Sequence, residues 1–299
     1  MGEVVGSGLI AHVPTVMLPK EIRYELNKGR EFSVVTGLNR LRDEVLAKLD
    51  YDLVIVFDSH WFTTVEFVIT AHARREGKYT SDELPRGMSQ VPYDAKGDPK
   101  FAHAAAALAS KHGTWITPID DPYLPIQYAT VNLIKYLQKG DEAWVSVSCA
   151  QTGETDDFLR AGRAIGEAIR NTDRKVVLLA SGAMSHKFWP LSKLRQHEAG
   201  DVEHIFSPEH AKADLERLDW MQAGDHARVL KTMPEFLKFK PEANFGHYVM
   251  MAAALGEGDW RAPGKLYSEY ENSVGTGQVH VWFERPAGGW QAQPKAAAQ

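Results

Sequence analysis

Segments of two different hydrophobic patterns alternate along this chain. Four short segments are mostly apolar or β-branched and are predicted to be strands: Val4–Ala11, Asp52–Phe57, Trp144–Ser148 and Lys175–Ala180. A nearly continuous apolar run is typical of a strand that is buried on both faces, because no side of it needs polar side chains. These segments therefore predict a central sheet that is covered on each side.

Longer segments between the strands have the spacing of amphipathic helices. The predicted helices are Phe32–Leu49, Phe101–Lys111, Tyr128–Leu137, Asp156–Ile169, Pro208–Met221 and Ala243–Leu255. Ser207 is the expected N-cap of the fifth of them, since its hydroxyl can accept a hydrogen bond from the first helical turn. The alternation of strands and helices predicts an α/β fold with a central mixed β-sheet and helices on both of its faces.

Two parts of the chain have no regular pattern. The stretch from Ala73 to Lys100 is polar and interrupted by Gly and Pro, so it is expected to be an irregular loop. Residues 278–283 alternate and predict a last strand, and the Gly/Pro/Ala/Gln-rich residues after it predict a disordered tail. We expect a single catalytic domain over residues 1–285 and a disordered tail over residues 286–299.

Composition and charge narrow the class of protein. The chain has 299 residues and a net charge of −5 without a polybasic block, so neither nucleic acid nor an anionic membrane is an expected partner. The lone cysteine, Cys149, cannot form an internal disulfide, and no basic segment precedes an apolar run at the N-terminus. We therefore expect a soluble, cytoplasmic protein that does not bind a membrane.

Histidines follow three of the predicted strands. His12 and His60 each come just after an apolar strand, and His186 follows a third one through a Gly/Ser-rich turn. In open α/β sheets, ligands gather in the crevice beyond the carboxyl ends of the strands, so these imidazoles are expected to lie close together. Each histidine taken alone is as well explained by a hydrogen bond to the backbone.

A carboxylate completes a candidate metal site. Glu242 follows Pro241 at the expected start of the last long helix, where the helix dipole alone would also favour a negative charge. Two histidines and one carboxylate form the facial arrangement that leaves several metal positions open, as in non-haem iron(II) oxygenases. The same residue types also bind zinc, so the ligand types alone do not identify the metal.

Several segments together resemble the type III extradiol dioxygenases of the protocatechuate 4,5-dioxygenase superfamily, and within it the 3,4-dihydroxyphenylacetate 2,3-dioxygenases. The matching segments are "AHVPTVML" (11–18), "VFDSHWF" (56–62), "YTSDELP" (79–85), "LASGAMSHKF" (179–188) and "GTGQVHVWF" (275–283). They occur in family order over almost the whole chain, and the combination is far more specific than any one segment.

The resemblance assigns roles by position. It implies that His12, His60 and Glu242 bind Fe(II), that His186 is the acid/base, and that the substrates are a catechol and O2. Tyr128 stands where protocatechuate-cleaving members have a histidine, and it is expected to act in catalysis or to contact the substrate. Its alternative is a core tyrosine with a satisfied hydroxyl.

Two further substrate contacts are expected with less support from the pattern. Lys187 is a candidate partner for a carboxylate on the substrate, although a solvated lysine is the more common case. His247 is a candidate from the helix that follows Glu242, and a histidine on the helix surface is an equal alternative. The resemblance also implies a homo-oligomer, either a dimer or a tetramer.

The substrate and the reaction class have alternatives. The first choice is extradiol (meta) cleavage of 3,4-dihydroxyphenylacetate, or a similar carboxylated catechol, to a muconic semialdehyde. The cleft could instead admit a larger lignin- or biphenyl-derived catechol if residues 72–95 or the insertion at 197–210 open it, or a 2-aminophenol. The alternatives from other classes are a metal-dependent hydrolase that activates water on zinc and a non-enzymatic, Memo-like binding protein.

Overall fold

The computed structural model of the protein describes residues 1–85 and 87–291 and has an α/β architecture. The strands are β1 (Glu3–Ile10), β2 (Leu53–Thr63), β3 (Phe67–Thr70), β4 (Arg74–Tyr79), β5 (Val91–Lys96), β6 (Ile116–Ile119), β7 (Ala143–Ala150), β8 (Lys175–Ser181), β9 (Gly264–Leu266), β10 (Glu271–Ser273), β11 (Thr276–Gln278) and β12 (His280–Glu284). The helices are α1 (Lys20–Leu26), α2 (Ser33–Arg40), α3 (Pro99–Ala109), α4 (Tyr128–Leu137), α5 (Thr155–Arg170), α6 (Leu191–Leu194), α7 (Pro208–Gln222), α8 (His226–Lys231), α9 (Met233–Phe236) and α10 (Gly246–Leu255).

One large mixed sheet organises the fold. Its strand order is β4-β5-β7-β2-β8-β1-β12-β9, with β3 joined to β7 and β6 joined to β3, and β10 and β11 form a separate pair. The four central strands β7, β2, β8 and β1 run parallel, whereas β12 and β9 are antiparallel to their neighbours. The central mixed sheet that the sequence predicted is confirmed, and the carboxyl ends of β1, β2 and β8 lie side by side.

Both faces of the central strands are buried, which explains their apolar sequences. On β2, Leu53, Ile55 and Phe57 belong to one core, and the alternate residues Val54 and Val56 belong to the other. The first core includes residues of α3, α5 and α10, whereas the second includes residues of α2 and α4. Since successive side chains of a strand point to opposite faces, a strand between two helical layers needs apolar residues at every position.

Most of the predicted helices are present with shifted ends. The Tyr128–Leu137 helix is α4 with the same bounds, and Ser207 caps α7 through a hydroxyl that accepts the His210 N–H at 3.4 Å. The predicted helix Phe32–Leu49 is a regular helix only over α2, and it continues as a wider helical turn over Leu41–Val45 and a tighter one over Leu46–Lys48.

The stretch predicted to be an irregular loop contains a hairpin, so that prediction was wrong. Strands β4 and β5 pair antiparallel from Arg74 opposite Lys96 to Tyr79 opposite Val91. Their side chains are mostly exposed, and β5 contains Pro92, which is tolerated because β4 and β5 lie at the edge of the sheet. Charged, solvated edge strands lack the apolar pattern that identifies strands in a sequence.

The segment after β12 lies against the domain as far as it is described. Trp290 is partly buried against the first core, and its indole N–H donates to the Val4 carbonyl at 2.8 Å. Gln291 pairs with Trp260. Residues 286–291, which were expected to be part of a disordered tail, are therefore held by contacts, and residues 292–299 lie outside the described residues.

No helix within residues 1–85 and 87–291 combines the length and the apolar character needed to cross a membrane.

Helices α5 and α10 pack closely through small residues, which yields a stability prediction. A Cβ atom at Gly162 would lie 2.3 Å from the Met250 carbonyl oxygen, on the backbone of the other helix. We expect Gly162→Ala to lower the free energy of unfolding by about 1–3 kcal/mol through overpacking, although alanine is the better helix former. Gly288→Ala is the matched control because a Cβ there meets nothing within 4 Å. Urea unfolding that finds Gly162→Ala as stable as the parent protein would contradict the close packing.

Candidate metal and active site

Three candidate ligands converge at the carboxyl edge of the central strands. His12 follows β1, His60 lies near the end of β2, and Glu242 comes from the segment before α10. One ligand atom from each lies within 4.8 Å of the ligand atoms of the other two, a spacing that fits a shared metal ion. The sequence analysis predicted that these three residues would lie together, and the structure brings them together.

His12 is buried and held on both sides. Its Nδ1 lies 2.9 Å from the Ser181 hydroxyl at the end of β8, and its backbone carbonyl accepts a hydrogen bond from the Asn132 side chain at 2.6 Å. Its Nε2 lies 3.5 Å from Glu242 Oε1. When Nδ1 carries the proton and donates to Ser181, the Nε2 lone pair points toward the site and is free to bind a metal.

A break in strand β2 orients His60. The regular pairing of β2 with β7 stops at Asp58 and resumes at Phe62, so the strand is irregular around His60. The Asp58 carboxylate accepts the backbone N–H of His60 at 3.0 Å and of Trp61 at 3.1 Å, and the Thr130 hydroxyl at 2.7 Å. Such irregularities re-aim side chains next to active sites, and here His60 lies within the strand rather than just past it.

Glu242 is a buried carboxylate with few hydrogen-bond donors. Its Oε2 accepts the Ala183 N–H at 2.6 Å, and its own N–H donates to the Met184 carbonyl at 3.1 Å. Oε1 faces His12 at 3.5 Å and His186 at 4.0 Å. The carboxylate is therefore fixed by the loop that follows β8, and one oxygen is left toward the imidazoles.

The backbone after Glu242 differs from the predicted start of the helix. The sequence placed Glu242 in the first turn of a helix over Ala243–Leu255, but α10 begins at Gly246. Ala243, Asn244 and Phe245 all have left-handed conformations, with φ of 46°, 54° and 59°. Left-handed non-glycine residues cost about 1–3 kcal/mol each and cluster at functional sites. The turn aims Glu242 at the site, so the helix dipole does not explain its position.

The side chains of Glu242, His12 and His60 shift one another's pKa values, because they are largely buried and close together. Burial raises the pKa of Glu242, but His186 and His12 together outweigh this and hold it well below its usual value. Burial lowers the pKa of His12, but the Glu242 carboxylate and its hydrogen bond bring the net shift upward. The pKa of His60 is lowered by burial and by His12. Glu242 is therefore ionised, and a bound metal ion would stabilise its buried negative charge.

His186 lies next to these three residues and remains open to solvent. Its side chain is 28 % exposed, its backbone N–H donates to the Lys240 carbonyl at 2.9 Å, and its ring packs on Phe188 with centroids 4.7 Å apart. Both His186 and Glu242 therefore depend on the contact between residues 183–186 and residues 240–242.

Tyr128 packs on both histidines. Its ring centroid is 3.9 Å from that of His60 and 5.4 Å from that of His12. Burial raises the pKa of its hydroxyl, and Glu242 adds to this shift, so the hydroxyl is a proton donor rather than an anion at neutral pH. Tyr128 lies at the first turn of α4, beside both histidines, and its role in catalysis or substrate contact stays a prediction.

Lys187 and His247 lie in less direct positions. The Lys187 ammonium is 3.9 Å from the centroid of the Phe206 ring, so it makes a cation–π contact in this structure. His247 is fully buried, and a Cβ at Gly182 would lie 2.6 Å from its Nε2. Substrate contacts by either residue stay predictions, and His247 has no exposed surface with which to make one.

The sequence analysis missed several neighbours of the site. Glu83 Oε1 lies 3.3 Å from His60 Nε2, and its side chain is 54 % exposed. Ser181 and Asp58 orient the two histidines, as described above. Glu83 and Ser181 both occur in segments that carry the family resemblance. No spacing rule connects Glu83 with His60 or Ser181 with His12, because the residues of each pair are far apart in sequence.

Comparison with known proteins identifies the family. Residues 7–284 match the family described as "Catalytic LigB subunit of aromatic ring-opening dioxygenase".

The chain belongs to this LigB family.

It is 27 % identical over 275 residues to a 3,4-dihydroxyphenylacetate 2,3-dioxygenase of Escherichia coli, a match that covers 90 % of this chain and 95 % of the relative. It is 25 % identical over 318 aligned positions to a 2-aminophenol 1,6-dioxygenase beta subunit of a Pseudomonas species, with 99 % of each covered.

These relatives establish the reaction class. This LigB-family chain is an extradiol ring-cleaving dioxygenase, as the sequence analysis predicted, and proteins of the family are metal-dependent. A solved structure of an uncharacterized protein from Escherichia coli K12 is similar, with a TM-score of 0.55 and 15 % identity over 82 % of this chain and 91 % of the other. That similarity supports the fold alone.

The site yields a prediction about metal content. We expect His12→Ala and Glu242→Ala to lose the divalent metal bound at this site, because each removes one of the three candidate ligands that converge here among the described residues. His112→Ala is the matched control, because this histidine contacts Glu167 and is absent from the cluster. Elemental analysis after anaerobic purification measures the stoichiometry. Full metal content in His12→Ala would contradict the assignment.

Proposed function

We propose that this protein is an Fe(II)-dependent enzyme that opens a catechol ring next to its two hydroxyl groups and inserts both atoms of O2. The observation that carries the proposal is the cluster of His12, His60 and Glu242, whose ligand atoms lie within 4.8 Å of one another beside His186. Two imidazoles and one carboxylate leave open positions on a metal, which the two substrates require.

The residues of the cluster fit such a metal on structural grounds. Glu242 is buried with the His12 and His186 imidazoles within 4.0 Å of its carboxylate, and His12 is oriented by Ser181 so that Nε2 faces the carboxylate. His12, His60 and Glu242 would hold the ion. The chemistry that iron(II) supplies when bound is electron transfer between catechol and O2, which removes the spin barrier to their reaction.

His186 would handle the protons of the reaction. It combines proximity to Glu242 with partial exposure, so a catechol at the cluster would lie beside its ring. An imidazole can take a proton from a catechol hydroxyl and return it when the O–O bond breaks, since it exchanges protons readily near neutral pH.

Tyr128 would donate a hydrogen bond to the substrate. Its hydroxyl stays protonated because burial raises its pKa, and its ring is fixed against His60. A fixed neutral donor stabilises negative charge as it develops on a catechol or oxygen atom.

The substrate we propose is 3,4-dihydroxyphenylacetate or a similar carboxylated catechol. Support comes from the relative that bears that substrate's name, from the segments of resemblance, and from Tyr128, which stands where protocatechuate-cleaving members have a histidine. A 2-aminophenol is the second candidate, because a relative of similar identity is a 2-aminophenol dioxygenase subunit. The name of that relative also supports assembly into an oligomer, and we propose a dimer or tetramer.

The role of His186 can be tested apart from metal binding. We expect His186→Phe to keep its iron and to lower kcat by about 10²–10⁴-fold, the usual contribution of a general acid–base group. His112→Phe is the matched control, because this histidine contacts Glu167 and is absent from the cluster of candidate ligands. Stopped-flow absorbance of the ring-opened product measures the rate. Unchanged turnover in His186→Phe would remove this residue from the mechanism.

A substrate panel tests the proposed function itself. Iron-loaded protein is mixed with 3,4-dihydroxyphenylacetate, protocatechuate, unsubstituted catechol, 2,3-dihydroxybiphenyl and 2-aminophenol in an oxygen electrode. We expect one O2 consumed per molecule and the highest kcat/KM for the first compound. A higher value for 2-aminophenol or the biphenyl would move the assignment to that class. No oxygen uptake with any compound by protein with full iron content would contradict the proposal, and activity only with zinc would favour a hydrolase.

A further inference from the structure

A second buried carboxylate lies next to the loop that carries His186. Asp214 belongs to α7, and it is fully buried. Its Oδ1 accepts the Ser185 N–H at 2.9 Å, while its Oδ2 accepts the Ser185 hydroxyl at 2.7 Å and the Tyr270 hydroxyl at 2.7 Å. One carboxylate thus joins α7, the residue before His186 and the residue before β10.

The surrounding backbone fixes the same loop from two sides. Met184 N–H donates to the Gly277 carbonyl, and Gly277 N–H donates to the Ser185 carbonyl, both at 2.9 Å. On the other side, His186 N–H donates to the Lys240 carbonyl at 2.9 Å. The loop therefore behaves as a short strand between β11 and the segment that leads to Glu242, with Asp214 closing one side.

The fit around Asp214 is tight. A Cβ at Gly277 would lie 2.2 Å from Asp214 Oδ2, so only glycine allows the backbone to approach the carboxylate this closely. Burial raises the pKa of Asp214 to about 7, and the hydrogen bonds from Tyr270 and Ser185 oppose that rise, as does the charge of Arg217. Burial makes this carboxylate costly to ionise, and three hydrogen-bond donors compensate part of that cost.

We propose that Asp214 is a positioning residue for His186, acting through both hydrogen bonds to Ser185. The inference rests on the proposed role of His186 as acid/base. Asp214 does not touch the three candidate ligands, and within the loop its hydrogen bonds come from Ser185, whereas the Glu242 carboxylate is held by the Ala183 N–H. Its loss should therefore disturb the proton transfers more than metal binding. Groups that orient metal ligands through a hydrogen bond are typically worth about 10–100-fold in activity, and we expect a loss of similar size for a residue that orients His186.

The chain offers a matched control for the cost of losing a buried carboxylate. Glu142 is also buried, and it accepts the N–H groups of Lys139 at 2.8 Å and Gly140 at 2.9 Å and the indole N–H of Trp144 at 3.1 Å. It precedes β7 at the amino end of the parallel strands, the edge opposite the site. Glu142→Gln therefore loses comparable hydrogen bonds without touching the His186 loop.

The test compares Asp214→Asn with Glu142→Gln in the iron-loaded protein. Both amides replace one acceptor oxygen with an N–H group. In Glu142→Gln this leaves at least one N–H donor without its acceptor, and in Asp214→Asn the Ser185 and Tyr270 hydroxyls have to turn, so both variants should lower the melting temperature. We expect only Asp214→Asn to lower kcat, by about 10–100-fold, with iron content unchanged and KM within about twofold. Ser185→Ala removes one hydroxyl donor and keeps the Ser185 N–H, so its kcat should lie between those of the parent protein and Asp214→Asn. If Asp214→Asn does not fold, Ser185→Ala tests the positioning role in its place.

Each other outcome has a definite meaning. Equal kcat in Asp214→Asn and Glu142→Gln, or a raised KM with unchanged kcat, would overturn the positioning role. If the parent protein turns over none of the panel substrates, the proposed function fails, and crystal structures of the two variants decide the positioning role separately. We then expect the 4.0 Å separation of His186 Nε2 and Glu242 Oε1 to be kept in Glu142→Gln and lost in Asp214→Asn. An unmoved His186 would overturn the proposal.

Discussion

The architecture of the site depends on burying the charge of Glu242. An isolated carboxylate in a dry interior is strongly unfavourable unless hydrogen bonds and opposite charge compensate it. Here the Ala183 N–H supplies one donor, and His12 and His186 supply the nearby imidazoles. The left-handed turn after Glu242 points the carboxylate inward at a cost in backbone strain. A bound divalent cation would offset both the cost of burying the carboxylate and the strain of the left-handed turn.

The sheet makes this arrangement possible because it brings distant residues to one edge. β8 lies between β1 and β2, so the loop after it runs between His12 and His60. That loop supplies Ser181 to orient His12, Ala183 to hold Glu242, and the His186 ring itself. A short segment of chain therefore couples metal binding to proton transfer. The Asp214 network extends the same coupling outward to α7.

Much of this could be predicted from the sequence, and the failures have physical causes. The buried strands were visible because both faces need apolar residues, and the histidines followed from the rule that sites form at the carboxyl ends of strands. The hairpin β4–β5 was missed because an exposed edge strand carries no apolar pattern. The turn at 243–245 was read as helix because alanine and phenylalanine give no sign of left-handed backbone. Glu83 and Asp214 were missed because their roles depend on contacts between residues far apart in sequence.

We propose above all that His12, His60 and Glu242 bind one iron ion and leave its remaining positions open. The sharpest test is a crystal structure of anaerobically iron-loaded protein, with anomalous data collected on both sides of the iron absorption edge. We expect a single iron peak bonded to His12 Nε2, His60 Nε2 and one oxygen of Glu242, with no fourth protein ligand. An iron peak elsewhere, or a centre closed by a further side chain such as Glu83, would contradict it.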